Sequence, residues 1–277
     1  MNQKRYNQIR RRRKRIIKRI AFAANFMVMA IMVILLVYLG NEKSSKSGMG
    51  SSRISEENVN IENSQKTVEQ QSIISPEQVS EFARPFLDKM DKCKKYVVCL
   101  DAGHGGDDVG AEGRSGQYEK EETLKLALMV KEYLESAGVT VVMTRKTDKK
   151  VSLAERREIA ENCNADLLLS LHRNIYEGTE DVNGIEAWIN NSRPADAKKI
   201  SERILNCVEQ EVPGVKNRGV KWGTMDNVNE NYGVNKVSMA SLILETGFMS
   251  SVRDSKLFED YLDEYAKGIA KGVLESI

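Results

Sequence analysis

Residues 165–174 read Ala165-Asp166-Leu167-Leu168-Leu169-Ser170-Leu171-His172-Arg173-Asn174. An apolar run this short, without strict polar alternation, reads as a strand buried on both faces. Comparable runs occur at 97–100, 139–143 and 242–244. Between them the apolar spacing turns helical. One stretch, 119–136, places Leu124, Ala127, Leu128 and Leu134 on one side and stops at Gly138. Another covers 153–162, and a third after Pro194 repeats Ile200, Ile204, Leu205 and Val208. A last helix is expected from Asp254 onward, with Phe258, Tyr261, Leu262, Tyr265, Ile269 and Val273 on one stripe. Strands alternating with helices predict an α/β fold with a mostly parallel sheet flanked by helices. Residues 184–189, with Ile185, Ala187 and Ile189 alternating, are expected to add an edge strand. No internal repeat is present.

Outside this region the composition changes. The first 20 residues carry ten Lys and Arg and no acid, which leaves +2 less ten, a formal −8, for the rest of the 277-residue chain. The basic balance therefore belongs to a tip at 1–20 and not to the main domain. An arginine run can bind nucleic acid, but here 19 uncharged residues, 21–39, follow at once. That nearly matches the roughly 20 apolar residues of a membrane-spanning helix. Cations are retained on the cytoplasmic side, so the expectation is a cytoplasmic tip, an N-terminal transmembrane anchor at 21–39 and an extracytoplasmic remainder, with no nucleic-acid partner. A cleaved signal peptide usually has a shorter apolar region ending in small residues, whereas this segment ends Val37-Tyr38-Leu39. Residues 40–94 are rich in Ser, Asn, Glu and Gln up to about 75 and read as a flexible stalk, with a short or kinked helix near its end because Pro85 interrupts the pattern. The compact domain is expected at 95–277. Cys93, Cys99, Cys163 and Cys207 form no CxxC pair and read as free, mostly buried thiols.

The chain has only two histidines, His104 and His172, and each stands at the end of a predicted strand. Ligands of open α/β sheets bind beyond the carboxyl ends of the strands. Glu119, which opens a helix, and Glu245, at the end of another apolar run, reach the same rim by topology. Two imidazoles and a carboxylate with a fourth position open form a catalytic zinc arrangement, so His104, Glu119 and His172 are the candidate Zn2+ ligands. Glu245 is the candidate acid–base group. Blander readings stand beside each assignment. A histidine after a strand is often a hydrogen-bonded loop residue, Glu119 suits a helix N-terminus by charge alone, and Glu245 could pair with an arginine. The glycines around His104 do not form a phosphate loop, since neither Gly-Lys-Ser/Thr nor GxGxxG is present.

Taken together, the stretches Leu-Asp-Ala-Gly-His104-Gly-Gly, Glu119-Lys, Thr144-Arg145 with Asp148 and Arg156, Ser170-Leu-His172-Arg-Asn174, Gly184-Ile-Glu186, Asn217-Arg218-Gly219-Val220-Lys221 and Leu244-Glu245-Thr-Gly247 resemble the zinc-dependent N-acetylmuramoyl-L-alanine amidases of the amidase-3 family. The resemblance covers about 180 residues. It implies a twisted, mostly parallel sheet of about six strands, zinc held by His104, Glu119 and His172, and Glu245 as the catalytic glutamate. The implied reaction is hydrolysis of the amide joining N-acetylmuramic acid to L-alanine in peptidoglycan. The chain departs from the family's pattern at Arg173, where a small residue is usual, and at Ser238-Met239-Ala240 and Ser251. Arg173 and Asn174 are the candidate substrate-binding residues. Residues 226–237 show no long extra helix of the kind that blocks regulated relatives, so an accessible site is expected. The short anchored layout looks like the spore-cortex and germination amidases of endospore-forming bacteria. Two other readings share the scaffold: a catalytically silent wall-binding or activator protein, which retention of all four site residues argues against, and a zinc peptidase cutting elsewhere in the stem.

Overall fold

The structure, a computed structural model, describes residues 74–87, 95–178 and 181–277. The basic tip, the anchor read at 21–39 and most of the stalk lie outside the described residues. Among those described, no helix is long and apolar enough to cross a membrane.

Six strands form one sheet: β1 (Val97–Ala102), β2 (Thr140–Met143), β3 (Leu167–Asn174), β4 (Ile185–Ile189), β5 (Asn217–Trp222) and β6 (Ala240–Phe248), in the order β2-β1-β3-β6-β4-β5. β1, β2, β3 and β6 run parallel, and β4 lies antiparallel to β6 and parallel to β5. The mostly parallel α/β sheet expected from the alternating pattern is therefore present. The edge position expected for residues 184–189 is not: β4 is interior, because β5 covers its outer side. β5 was invisible to the pattern because Asn217, Arg218 and Lys221 interleave with Gly219 and Val220, leaving no apolar run. Two other strands run longer than the apolar pattern implied. β3 continues past His172 and β6 past Glu245, so these two residues lie side by side in register within strands rather than at their ends. Backbone pairing continues whatever the side chains, and here those side chains face a cavity.

Among the described residues, six helices accompany the sheet: α1 (Pro76–Leu87), α2 (Glu119–Ser136), α3 (Leu153–Asn162), α4 (Ala195–Glu211), α5 (Val252–Asp260) and α6 (Leu262–Leu274). The single stripe expected from Asp254 onward is broken at Tyr261 into α5 and α6, where the backbone leaves helical geometry at φ −126°. α1 belongs to the compact body although the sequence placed it in the stalk. Ile74 and Ala83 are buried in the main core, Val79, Phe82 and Phe86 pack on it, and the Phe82 ring lies 4.6 Å from that of Tyr133 on α2.

The two faces of the sheet differ. Leu167, Leu169 and Leu171 point into the large core shared with α2, α4 and α6. Leu168 points the other way, into a small cluster with Cys99, Trp188, Val234 and Ile243. On that second face, among the described residues, only α3 and a 3-10 turn, Gly233–Asn235, cover the strands. Their carboxyl ends are left open there, and Ser170, His172 and Asn174 continue the alternation of Leu168 into the opening.

Candidate metal centre and acid–base site

β1 ends at Ala102, and the chain turns sharply into the site. Gly103 has no side chain for a steric reason: a Cβ there would lie 2.4 Å from Cε1 of His172. His104 then adopts φ 60°, a left-handed conformation uncommon for a side-chain-bearing residue. The turn is held from beneath. Arg156 of α3 donates to the carbonyls of Ala102 and His104, each at 2.7 Å, and pairs with buried Asp101. Asp101 also accepts from Thr144 and Ser170, each at 2.6 Å. α3 begins with a complete capping box between Ser152 and Glu155, which fixes the first turn from which Arg156 projects.

The Glu119 carboxylate lies between the two imidazoles. His104 Nε2 is 3.1 Å from Glu119 Oε2, and His172 Nδ1 is 2.9 Å from Oε1. The same oxygens accept the backbone N–H groups of Ala111 at 2.8 Å and Arg173 at 3.0 Å. One donor atom from each of His104, Glu119 and His172 lies within 4.8 Å of the other two. A four-coordinate zinc ion with donors at about 2.0–2.2 Å accepts two imidazoles and a carboxylate. The donor set and its convergence therefore fit that ion. His104 Nδ1 faces Asp108 Oδ1 at 2.9 Å, an arrangement that fixes ring orientation and leaves Nε2 toward the centre.

Charge follows from this packing. Burial opposes ionisation of Glu119, but hydrogen bonds from His104 and His172 outweigh it and hold the carboxyl well below the usual range. Burial likewise opposes protonation of His172, yet its hydrogen bond to Glu119 prevails and pushes it up to about 9; His104 is raised by the same carboxylate. Glu245 behaves oppositely. Burial first, then the neighbouring carboxylates of Glu119 and Glu186, push it up to about 7 against the pull of the histidines. Its Oε2 is buried and has no hydrogen-bond partner. The four groups line a cavity of about 420 Å³ whose wall includes Leu153, Ile175, Met225 and Tyr232. Residues 226–237 contribute to this region only turns and the short 3-10 segment.

The structure thus brings His104, Glu119, His172 and Glu245 together. It places the other two candidates differently. The Arg173 side chain is fully buried on the helix side of the sheet, paired with Glu122 and with its guanidinium carbon 4.0 Å over the Phe258 ring. In that position it cannot reach acidic groups of a substrate. Alternation along β3 is the reason, since neighbours on a strand face opposite sides. Asn174 faces the cavity but donates to Glu186 Oε1 at 3.0 Å, an oxygen that also receives the Trp188 indole N–H at 3.1 Å. Asp108 was missed by sequence reasoning. An aspartate four residues after a histidine carries no signal unless the intervening turn is known to fold back.

Residues 98–275 match the family model described as N-acetylmuramoyl-L-alanine amidase, amidase-3. The chain is 33% identical over 180 residues to the sporulation-specific N-acetylmuramoyl-L-alanine amidase of Bacillus subtilis, covering 64% of this chain and 66% of that one. It is 31% identical over 181 residues to the amidase LytC of the same organism, covering 64% of this chain and 35% of the relative. It therefore spans about two thirds of the former's length and about one third of the latter's. Among solved structures, the amidase AmiC2 of Nostoc punctiforme is similar at 36% identity with a TM-score of 0.59, covering 66% of this chain and 97% of that one.

Proposed function

The chain belongs to the amidase-3 family, and from that premise we propose that it hydrolyses the amide bond between N-acetylmuramic acid and L-alanine in peptidoglycan, with zinc held by His104, Glu119 and His172. The observation that carries the reading is the pairing of two unlike carboxylates at one centre: Glu119, ionised and shared between two imidazoles, and Glu245, half-buried with a free oxygen and raised to about 7. When bound, zinc supplies Lewis acidity toward the scissile carbonyl and lowers the pKa of water.

The remaining chemistry belongs to the chain's own side chains. Asp108 orients His104 through Nδ1, and Gly103 leaves room for the His172 ring. Glu245, unpaired and near neutrality, accepts a proton from the attacking water and returns it to the departing amine of L-alanine. Leu153, Ile175 and Met225 line the cavity with apolar surface beside the reacting groups. Glu186, held by Asn174, Trp188 and Arg218, keeps negative charge opposite Glu245 and supports its raised proton affinity.

Digestion of purified muropeptides tests the reaction. Free peptides that begin at L-alanine, together with glycan fragments whose N-acetylmuramic acid carries no peptide, are expected. Shortened stems still attached to muramic acid would point to a peptidase, and binding without any turnover to a silent wall-binding protein. Residues 21–39 are proposed to anchor the protein in the cytoplasmic membrane with the catalytic domain outside, supported by their uncharged composition directly after a basic tip. Membrane fractionation before and after removal of residues 1–40 tests this. A role in spore or germination wall remodelling is supported by similarity to the sporulation-specific relative.

A further inference from the structure

Arg173 puts a charge where the sheet turns its apolar face to the helices. Its side chain is 0% exposed, and it links its own strand to three other elements. It stands on β3 next to His172. Its guanidinium pairs with Glu122 in the first turn of α2, lies over Phe258 of α5 at 4.0 Å, and donates through Nε to the Gly247 carbonyl of β6 at 3.4 Å. Its backbone N–H meanwhile donates to Glu119 Oε1 at 3.0 Å. One residue of the strand therefore grips two carboxylates on the inward side of a single helical turn, Glu119 by its main chain and Glu122 by its side chain.

The start of α2 needs such a grip. Tyr118 at its N-cap makes no side-chain capping bond, so no cap side chain fixes the turn that carries Glu119 and Glu122. Residues three apart on a helix are neighbours, so holding Glu122 also holds the turn from which Glu119 projects. The Arg173–Glu122 ion pair instead ties this turn to β3, beside the Glu119 carboxylate that the two histidines contact. The planar, always-charged guanidinium suits this role better than a flexible ammonium, because stacking on Phe258 fixes its plane.

We propose that Arg173, acting through Glu122, is a positioning residue that fixes the first turn of α2 so that the Glu119 carboxylate stays between His104 and His172. The role rests on the metal-site reading given under the proposed function. Metal sites tolerate ligand displacements of only about 0.2 Å, so a loosened first turn is read directly as metal affinity.

The test is zinc affinity of the full chain by competition with a chromophoric chelator, with a thermal melt of the metal-free protein to show that each variant is folded. Arg173→Met keeps the stem over Phe258 and removes the charge; zinc affinity is expected to fall about 10- to 100-fold, the range for outer partners of metal ligands. Glu122→Gln is expected to weaken zinc as well, and the double variant to be no weaker than Arg173→Met alone, because the two residues form one link. Arg173→Lys should recover part of the loss. Folded Arg173→Met with unchanged zinc affinity overturns the role, and so do fully additive effects in the double variant. If Arg173→Met does not fold, Glu122→Gln decides by the same measurement: a loss supports the role and an unchanged affinity overturns it. A wild-type chain that binds no zinc overturns the metal reading itself and this role with it.

Discussion

Glu245 and His172 face each other across paired strands, yet their protons are held for opposite reasons. Glu245 is raised chiefly by burial, so as a base it works only once deprotonated: kcat/KM of the zinc-loaded enzyme is expected to climb with pH and level off once Glu245 has lost its proton. Glu245→Gln should retain zinc by metal analysis while turnover of muropeptides falls by about 10²–10⁴, the usual contribution of a positioned acid–base group. In the metal-free protein His172 is raised to about 9 and is protonated at pH 7, whereas a ligating imidazole must be neutral. Zinc uptake at pH 7 should therefore release protons, and apparent affinity should rise with pH until about 9. Calorimetry in buffers of different ionisation enthalpy measures this; an uptake that releases none would contradict it. By the same sign, the stabilising contribution of the His172–Glu119 contact to the metal-free protein is full below about 6.5 and is lost as pH rises through about 9. At this scale the two histidines and two glutamates were legible from rarity and placement along the chain. Asp108 was not, because its contact depends on the left-handed turn at His104.

Among the elements, the tightest packing is between α4 and α6. A Cβ on Gly272 would sit 2.4 Å from Cα of Ile204, and one on Gly268 2.7 Å from Cα of Val208. Backbone cannot yield as a flexible side chain can, so Gly272→Ala should force the helices apart and cost about 1–3 kcal/mol, read as a lower denaturation midpoint with zinc binding retained. The apolar stripe of α6 was visible in the sequence, but its division from α5 at Tyr261 was not, since the periodicity continues across the break. β4 was recognised as a strand and misplaced at an edge. What set its position was β5, whose Asn217, Arg218 and Lys221 carry no strand pattern. Arg218 is recruited instead by its ion pair to Glu186 of β4 at 2.7 Å.

For the whole molecule, α1 extends the compact body back to about residue 74, since Val79, Phe82 and Phe86 cover part of the core. Burying an apolar side chain is worth about 1.5–3 kcal/mol. A fragment beginning at residue 95 should therefore be less stable than one beginning at 74 by a few kcal/mol, while both keep the His104–Glu119–His172 group on the opposite side of the sheet. Chemical denaturation of the two fragments compares them, and equal stability would mean that α1 contributes nothing. The sequence alone determined the α/β class, the order of most elements and which four side chains meet at one site, because apolar periodicity is written locally and chain topology brings these strand segments to one rim. Only the tertiary structure decided which way each side chain faced. Whether Arg173 meets a substrate or Glu122, whether β4 is an edge, and which carboxylate is left without a partner all depend on contacts between segments far apart in the chain, and burial and charge act on those contacts rather than on the residue types.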